Sequence, residues 1–170
     1  MILPGESRID VVLAPGELRF GGSRLLLRTL LGSCVSVTVW HPHRRIGGMC
    51  HYLLPSRGPG DPGGGVPDGR YADEALQLML RIISGRGTAP QEYQVKAFGG
   101  GVQFASPGGP PGPGVPERNV EAALALFPVH GLTPTVTDLG GTGPRTIVLD
   151  VATGDVWVRR GLLTPPRGEG

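Results

Sequence analysis

The stretch Cys34-Val35-Ser36-Val37-Thr38-Val39-Trp40 constrains the fold more than any other part of the sequence. Val35, Val37 and Val39 fall on one face and Cys34, Ser36, Thr38 and Trp40 on the other, the period of a half-buried strand. His41-Pro42-His43-Arg44-Arg45 then reads as a turn, and Ile46-Gly47-Gly48-Met49-Cys50-His51-Tyr52-Leu53-Leu54 returns alongside. A connection this short joins antiparallel neighbours. Folding about the turn brings Cys34 level with His51 to within one residue of register. If facing residues have numbers with an odd sum, Cys34 and His51 share a face, where direct opposites sit about 4.5–5.5 Å apart. An even sum separates them, unless Gly47-Gly48 supplies a bulge.

A thiol and an imidazole brought together can form a thiolate–imidazolium pair, and the thiolate is a nucleophile. Spacing alone leaves a plainer reading open, because a lone cysteine in a strand is usually core. What distinguishes Cys34 is its place in Gly32-Ser33-Cys34, where a loop meets a strand and backbone N–H groups are free to face a substrate. Cys50, adjacent to His51, projects to the opposite face and reads as core. His41 and His43, with Cys34, Cys50 and His51, also admit a zinc site. Against it, two histidines beside Pro42 read as a solvated turn, as does Arg44-Arg45, and zinc-bound Cys34 would be a poor free nucleophile.

The chain has 170 residues, enough for one domain with a substantial core, and a net charge of +2. No aromatic–basic interleaving marks a nucleic-acid surface, no apolar run approaches the ~20 residues needed for membrane insertion, and the start lacks a signal-peptide pattern. Two cysteines are too few for a disulfide framework, so a cytoplasmic protein with reduced thiols is expected. The 30 glycines and 18 prolines concentrate in 57–69 and 106–116, which read as mobile loops leaving a single domain over 1–160. The tail 161–170 is expected to fray.

Strands are expected at 9–13 and 25–30, separated by turn-rich sequence, then the hairpin. Tyr71 to Ile83 reads as a helix with Ala72, Ala75, Leu76, Met79, Ile82 and Ile83 as its apolar stripe, closed by Gly85 and Gly87. A strand at 92–98 runs into Gly99-Gly100-Gly101, which lacks the surroundings of a phosphate loop and reads as a tight turn, with a wall of a cleft as its functional alternative. A second helix begins near Pro116-Glu117-Arg118-Asn119, with Asn119 as cap, Val120, Ala123, Leu124 and Phe127 inward, and Pro128 as its stop. A strand at 133–139 and a hairpin, 145–151 with 155–159, complete the chain. Asp138 reads as a turn or capping carboxylate, with partner binding and bracing of a cleft as its alternatives, and Glu117-Arg118-Asn119 has the same alternatives with helix capping favoured. The class is α+β: mostly antiparallel sheets built from hairpins, covered by two helices.

Leu30-Leu31-Gly32-Ser33-Cys34-Val35, Gly47-Gly48-Met49-Cys50-His51 and Leu54-Pro55 closely resemble the CheD family of chemoreceptor glutamine deamidases. Tyr71-Ala72-Asp73, Lys96 through Gly101, Glu117-Arg118-Asn119, Asp138 through Thr142 and Val156 through Arg160 follow in the family's order. The resemblance makes Cys34 the nucleophile and His51 the general base. It makes a threonine shortly before the cysteine, Thr29, the group that orients the imidazole. A shift of one residue would put Arg28 in that place and turn Thr29 away, so that a hydroxyl or carbonyl from elsewhere would be required. Deamidation is acyl transfer, so an oxyanion must be held, and the Cys34 N–H with the Gly32-Ser33 turn is the candidate. No cofactor is implied. The implied substrate is the cytoplasmic helices of methyl-accepting chemoreceptors, and the implied partner is a CheC-type phosphatase. The same thioester route serves methyl esters. Two rivals are a catalytically weak adaptor acting by occupancy, to which Arg28 and the long loops lend some weight, and a metal-binding domain.

Overall fold

The structure, a computed structural model, describes residues 3–104 and 112–161. Most of the expected loop at 106–116, and the tail after Gly161, lie outside these residues. Nine strands and two helices follow in the order β1 (Ile9–Val12), β2 (Leu18–Gly21), β3 (Leu25–Leu31), β4 (Val35–His41), β5 (Ile46–Cys50), α1 (Ala72–Gly85), β6 (Gln94–Gly99), α2 (Val115–Val129), β7 (Pro134–Leu139), β8 (Arg145–Asp150) and β9 (Val156–Arg160). One sheet has the order β2-β5-β4-β6-β7 and the other β1-β3-β8-β9. This is the expected α+β class, but the sheets are mixed: β1 lies parallel to β3, and β6 parallel to β7, while the remaining pairs are antiparallel. The parallel β6/β7 pair follows from α2, which lies between them in sequence and supplies the crossover.

The β4/β5 hairpin has the odd register. Thr38 faces Met49, His41 faces Ile46, and beyond the strand end Val35 bridges to Tyr52. No bulge interrupts it. Gly47 and Gly48 serve close approach instead: a Cβ on Gly48 would lie 2.6 Å from the Phe20 ring and 2.7 Å from the Arg19 carbonyl oxygen. That contact explains a strand the sequence reading passed over, β2, whose Phe20 faces Gly48.

The alternation of β4 separates two cores. Val35, Val37 and Val39 are fully buried with Ala75, Leu76 and Met79 of α1 and Ala123 and Phe127 of α2. Each is worth about 1.5–3 kcal/mol of burial. The other face meets the four-stranded sheet, where Met49 and Phe98 pack on Leu27, Leu31, Ile147 and Leu149. The five-stranded sheet is therefore the middle layer, with helices on one side and the second sheet on the other.

The helices require several corrections. In α1 the stripe is as expected except that Ile82 is only partly buried. α2 starts earlier than read, with Gly114 as N-cap and Pro116 in the first turn, where its missing N–H costs nothing. Asn119 is thus not the cap but an interior residue, fully buried. The inner stripe is Asn119, Ala123 and Phe127, and Leu124, one step off it, is exposed. The helix runs through Pro128 and ends at Val129. His41 is not solvated either. Because β4 extends to it, its ring turns to the helix side, 5.2 Å from the Tyr93 ring, with Nε2 3.4 Å from a Glu92 carboxylate oxygen. The 57–69 loop carries no strand or helix and is held by Arg57, which donates to both Glu74 carboxylate oxygens at 2.8 and 3.0 Å.

Candidate active site

Cys34, His51 and Thr29 all face the space between the sheets. Cys34 packs on the inter-sheet core containing Met49 and Phe98. Met49 lies on the same β5 face as His51, and Phe98 faces Ser36 across β6. The register sets His51 across from Ser36, one pair inside the Val35–Tyr52 bridge, so Cys34 and His51 are diagonal neighbours on one face. Such neighbours have Cα atoms about 7–8 Å apart, within reach of an imidazole. Thr29 reaches the same space from β3 in the other sheet.

The hydrogen bonds around the imidazole fix its protonation. Thr29 Oγ1 donates to the Leu13 carbonyl oxygen at 2.9 Å, which uses its only proton. The same oxygen lies 2.7 Å from His51 Nδ1, so it accepts there, and Nδ1 carries the hydrogen. Nε2 is left with its lone pair. Among the described residues Nε2 has no hydrogen-bond partner, although it is buried. Ser36 Oγ, on the same face, is likewise buried and without a partner. A neutral imidazole held in this tautomer is a base ready to accept a proton from that face.

Burial sets the charge state. It lowers the His51 pKa from 6.5 to about 4. The half-buried Cys34 thiol is pushed up from its ordinary value by burial, partly offset by a hydrogen bond from the Ser33 side chain. Both shifts favour thiol and neutral imidazole over the ion pair the residue types permit. Folding stability records the same burial. Between about pH 6.5 and 4 the unfolded chain binds a proton that folded His51 refuses, so stability falls as pH falls through that window, by about 3 kcal/mol in all. Urea midpoints at pH 7 and pH 4.5 should drop further in the wild type than in His51→Gln; equal drops would contradict it.

The turn carrying Cys34 is held by its carbonyls. Gly32 O accepts from Gly101 N at 3.2 Å, Cys34 O from Gly100 N at 2.8 Å, and Ser33 O from Asn119 Nδ2 at 3.0 Å. The N–H groups of Ser33 and Cys34 make no hydrogen bond among the described residues. The glycine triplet is thus a strap over the turn that carries Cys34. Gly99, at φ +108°, comes so close that a Cβ would lie 2.3 Å from Cys34 O. Arg145, fully buried, holds the strap from behind by donating to the carbonyls of Gly99 at 2.8 Å, Asp138 at 2.6 Å and Gly140. The Asp138 carboxylate pairs with Arg145 at 3.6 Å and with Arg160, which is a bracing role. Beside the turn lies a groove of about 410 Å³ lined by Ser33, Val102, Gln103, Phe104, Val115 and Glu117.

The metal-ligand reading is not assembled. Cys50 and His41 face the helix layer, Cys34 and His51 the inter-sheet layer, and His43 the solvent. Among the described residues no three histidine, cysteine or acidic side chains gather around one point.

A family model described as CheD chemotactic sensory transduction matches residues 53–160. A protein named probable chemoreceptor glutamine deamidase CheD from Pseudomonas savastanoi pv. phaseolicola is 51% identical over 151 residues, 88% of this chain and 84% of its own. One of the same name from Pseudomonas fluorescens is 50% identical over 159 residues, 91% of this chain and 88% of its own. A protein named probable chemoreceptor glutamine deamidase CheD 2, from Geobacter sulfurreducens, is 37% identical over 150 residues, 88% of this chain and 89% of its own. The chain belongs to the CheD family. Within this CheD fold, sequence reading did not single out Ser36 or Arg145, and it placed Asn119 in the Glu117-Arg118-Asn119 motif with capping favoured over a role at the cleft. Ser36 carried a usable signal, since it lies two residues from Cys34 on one strand face.

Proposed function

We propose that this CheD protein hydrolyses glutamine side-chain amides of chemoreceptors to glutamates, with release of ammonia, through a thioester on Cys34. The observation that carries the reading is the chain of hydrogen bonds from Leu13 O through Thr29 Oγ1 to His51 Nδ1, which leaves Nε2 as a base on the Cys34 face. The names of the relatives supply the substrate class.

In this mechanism Nε2 takes the thiol proton as Sγ attacks the amide carbon. The carbonyl π electrons move to oxygen, and the oxyanion lies against the free N–H groups of Cys34 and Ser33. The imidazolium returns the proton to nitrogen as the C–N bond breaks and ammonia leaves. Water then gives a proton to Nε2 and attacks the thioester carbonyl, and the thiol is restored with a glutamate carboxylate as product. Methyl esters follow the same path with methanol as leaving group. Each deamidation adds a negative charge to a receptor helix, where repulsion between neighbours four residues apart alters packing. The enzyme acts in the cytoplasm, where those helices lie, and a CheC-type phosphatase is its partner. Among the described residues no helix is long and apolar enough to cross a membrane.

Mass spectrometry of a receptor cytoplasmic fragment incubated with the protein tests the reading. Each converted glutamine gains about 1 Da through the nucleophilic route. A fragment whose mass stays unchanged under conditions in which it binds the protein would reject it.

A further inference from the structure

We infer that Asn119 is a positioning residue that aims the oxyanion donor of Cys34, an inference that rests on the deamidase reading. The side chain is fully buried in the second turn of α2, a place where an apolar residue would ordinarily sit. Its Nδ2 donates one hydrogen to Ser33 O at 3.0 Å and the other to Leu53 O at 2.8 Å. The amide cannot be turned over, because that would set Oδ1 against two carbonyl oxygens. From the same residue the backbone carbonyl accepts the Tyr52 hydroxyl at 2.6 Å. One helical residue therefore ties the segment before the nucleophile to the segment just after the base.

The bond to Ser33 O matters most. The Ser33 carbonyl and the Cys34 N–H belong to one peptide unit, which is planar and trans, so the two point in opposite directions. Holding the carbonyl toward α2 aims the N–H away from it, toward the face on which the thiol lies. The neighbouring carbonyls, Gly32 O and Cys34 O, are held by backbone N–H groups of the glycine strap. Asn119 supplies the one side-chain anchor of the three.

The other half of the amide argues against a purely stabilising role. Oδ1 is buried and has no hydrogen-bond partner among the described residues. An unmet buried acceptor weakens a fold. The amide is the group that reaches both carbonyls at once, and its unused acceptor is the cost of that reach.

The test compares Asn119→Ala and Asn119→Leu with the wild type on a receptor fragment, measuring ammonia release, and also measures alkylation of Cys34 by iodoacetamide. Alkylation occurs at a saturated carbon and develops no oxyanion, so it reports the thiol and its base without the donor. The expected result is a fall in kcat of about 10²–10³, the usual loss for one oxyanion donor, with KM and the alkylation rate each within about twofold of wild type. Asn119→Leu keeps the buried volume and removes the unmet acceptor, so it guards against a folding defect in the alanine variant. Wild-type kcat in either folded variant, an alkylation rate that falls in step with kcat, or failure of both variants to fold would overturn the inference. Absence of ammonia release by the wild type would sink the deamidase reading itself, and this inference with it.

Discussion

Replacement of Cys34 by alanine is expected to abolish ammonia release from a receptor fragment, with kcat reduced at least about 10⁴-fold, while the fragment still binds with its original affinity. The magnitude follows from the chemistry: without sulfur there is no thioester, and what remains is a base and an oxyanion site acting on water, as when one member of a catalytic set is removed. Binding survives because the thiol is small and half-buried, and the groove beside it is built by other residues. Ammonia release and a direct binding measurement on the same preparation separate enzyme from adaptor. If Cys34→Ala still adapts receptor signalling as the wild type does, the protein works by occupancy. Cys50 is the internal control. It is fully buried on the opposite face, and burial pushes its thiol up to about 11, so Cys50→Ala should leave kcat near wild type.

What could be read before folding, and what could not, divides along a physical line. The hairpin was legible because its alternation and short turn are local, and the parity argument reduced the question of whether Cys34 and His51 share a face to one bit. The register supplies that bit. The α1 stripe was legible for the same reason. Thr29 was ambiguous because its partner lies in the other sheet, and no local pattern states how two sheets pack or which β3 residues point into the gap. Asn119 was misread because an asparagine following Pro-Glu-Arg fits a cap as well as an interior position, and the distinction depends on the helix beginning at Val115. His41 was misread because β4 extends one residue further than the alternation of valines indicates, which turns its ring inward. The parallel pairing of β6 and β7 was available, since a helix between two strands is what a parallel crossover requires.

Thr29→Val should lower kcat by about 10²–10⁴ with little change in KM, while Thr29→Ser should remain within about tenfold of wild type. Valine matches threonine in shape, so the inter-sheet packing is kept and only the hydroxyl is lost. That hydroxyl accepts from Nδ1–H and donates to Leu13 O. Without it the imidazole is free to place its proton on Nε2, where it blocks the lone pair that must receive the thiol proton. The ring is also free to rotate away from the Cys34 face. The stability cost is separable, because the buried Nδ1–H and the Leu13 carbonyl each lose a partner, together about 2–5 kcal/mol. The kinetic loss has its own signature in the nitrogen resonances of His51, which should report the Nδ1–H tautomer in the wild type and a mixture in Thr29→Val. Wild-type kcat in a folded Thr29→Val protein would show that the imidazole needs no hydroxyl to orient it. Loss of rate without any change in tautomer would assign the hydroxyl to holding the ring's orientation rather than to choosing its protonated nitrogen.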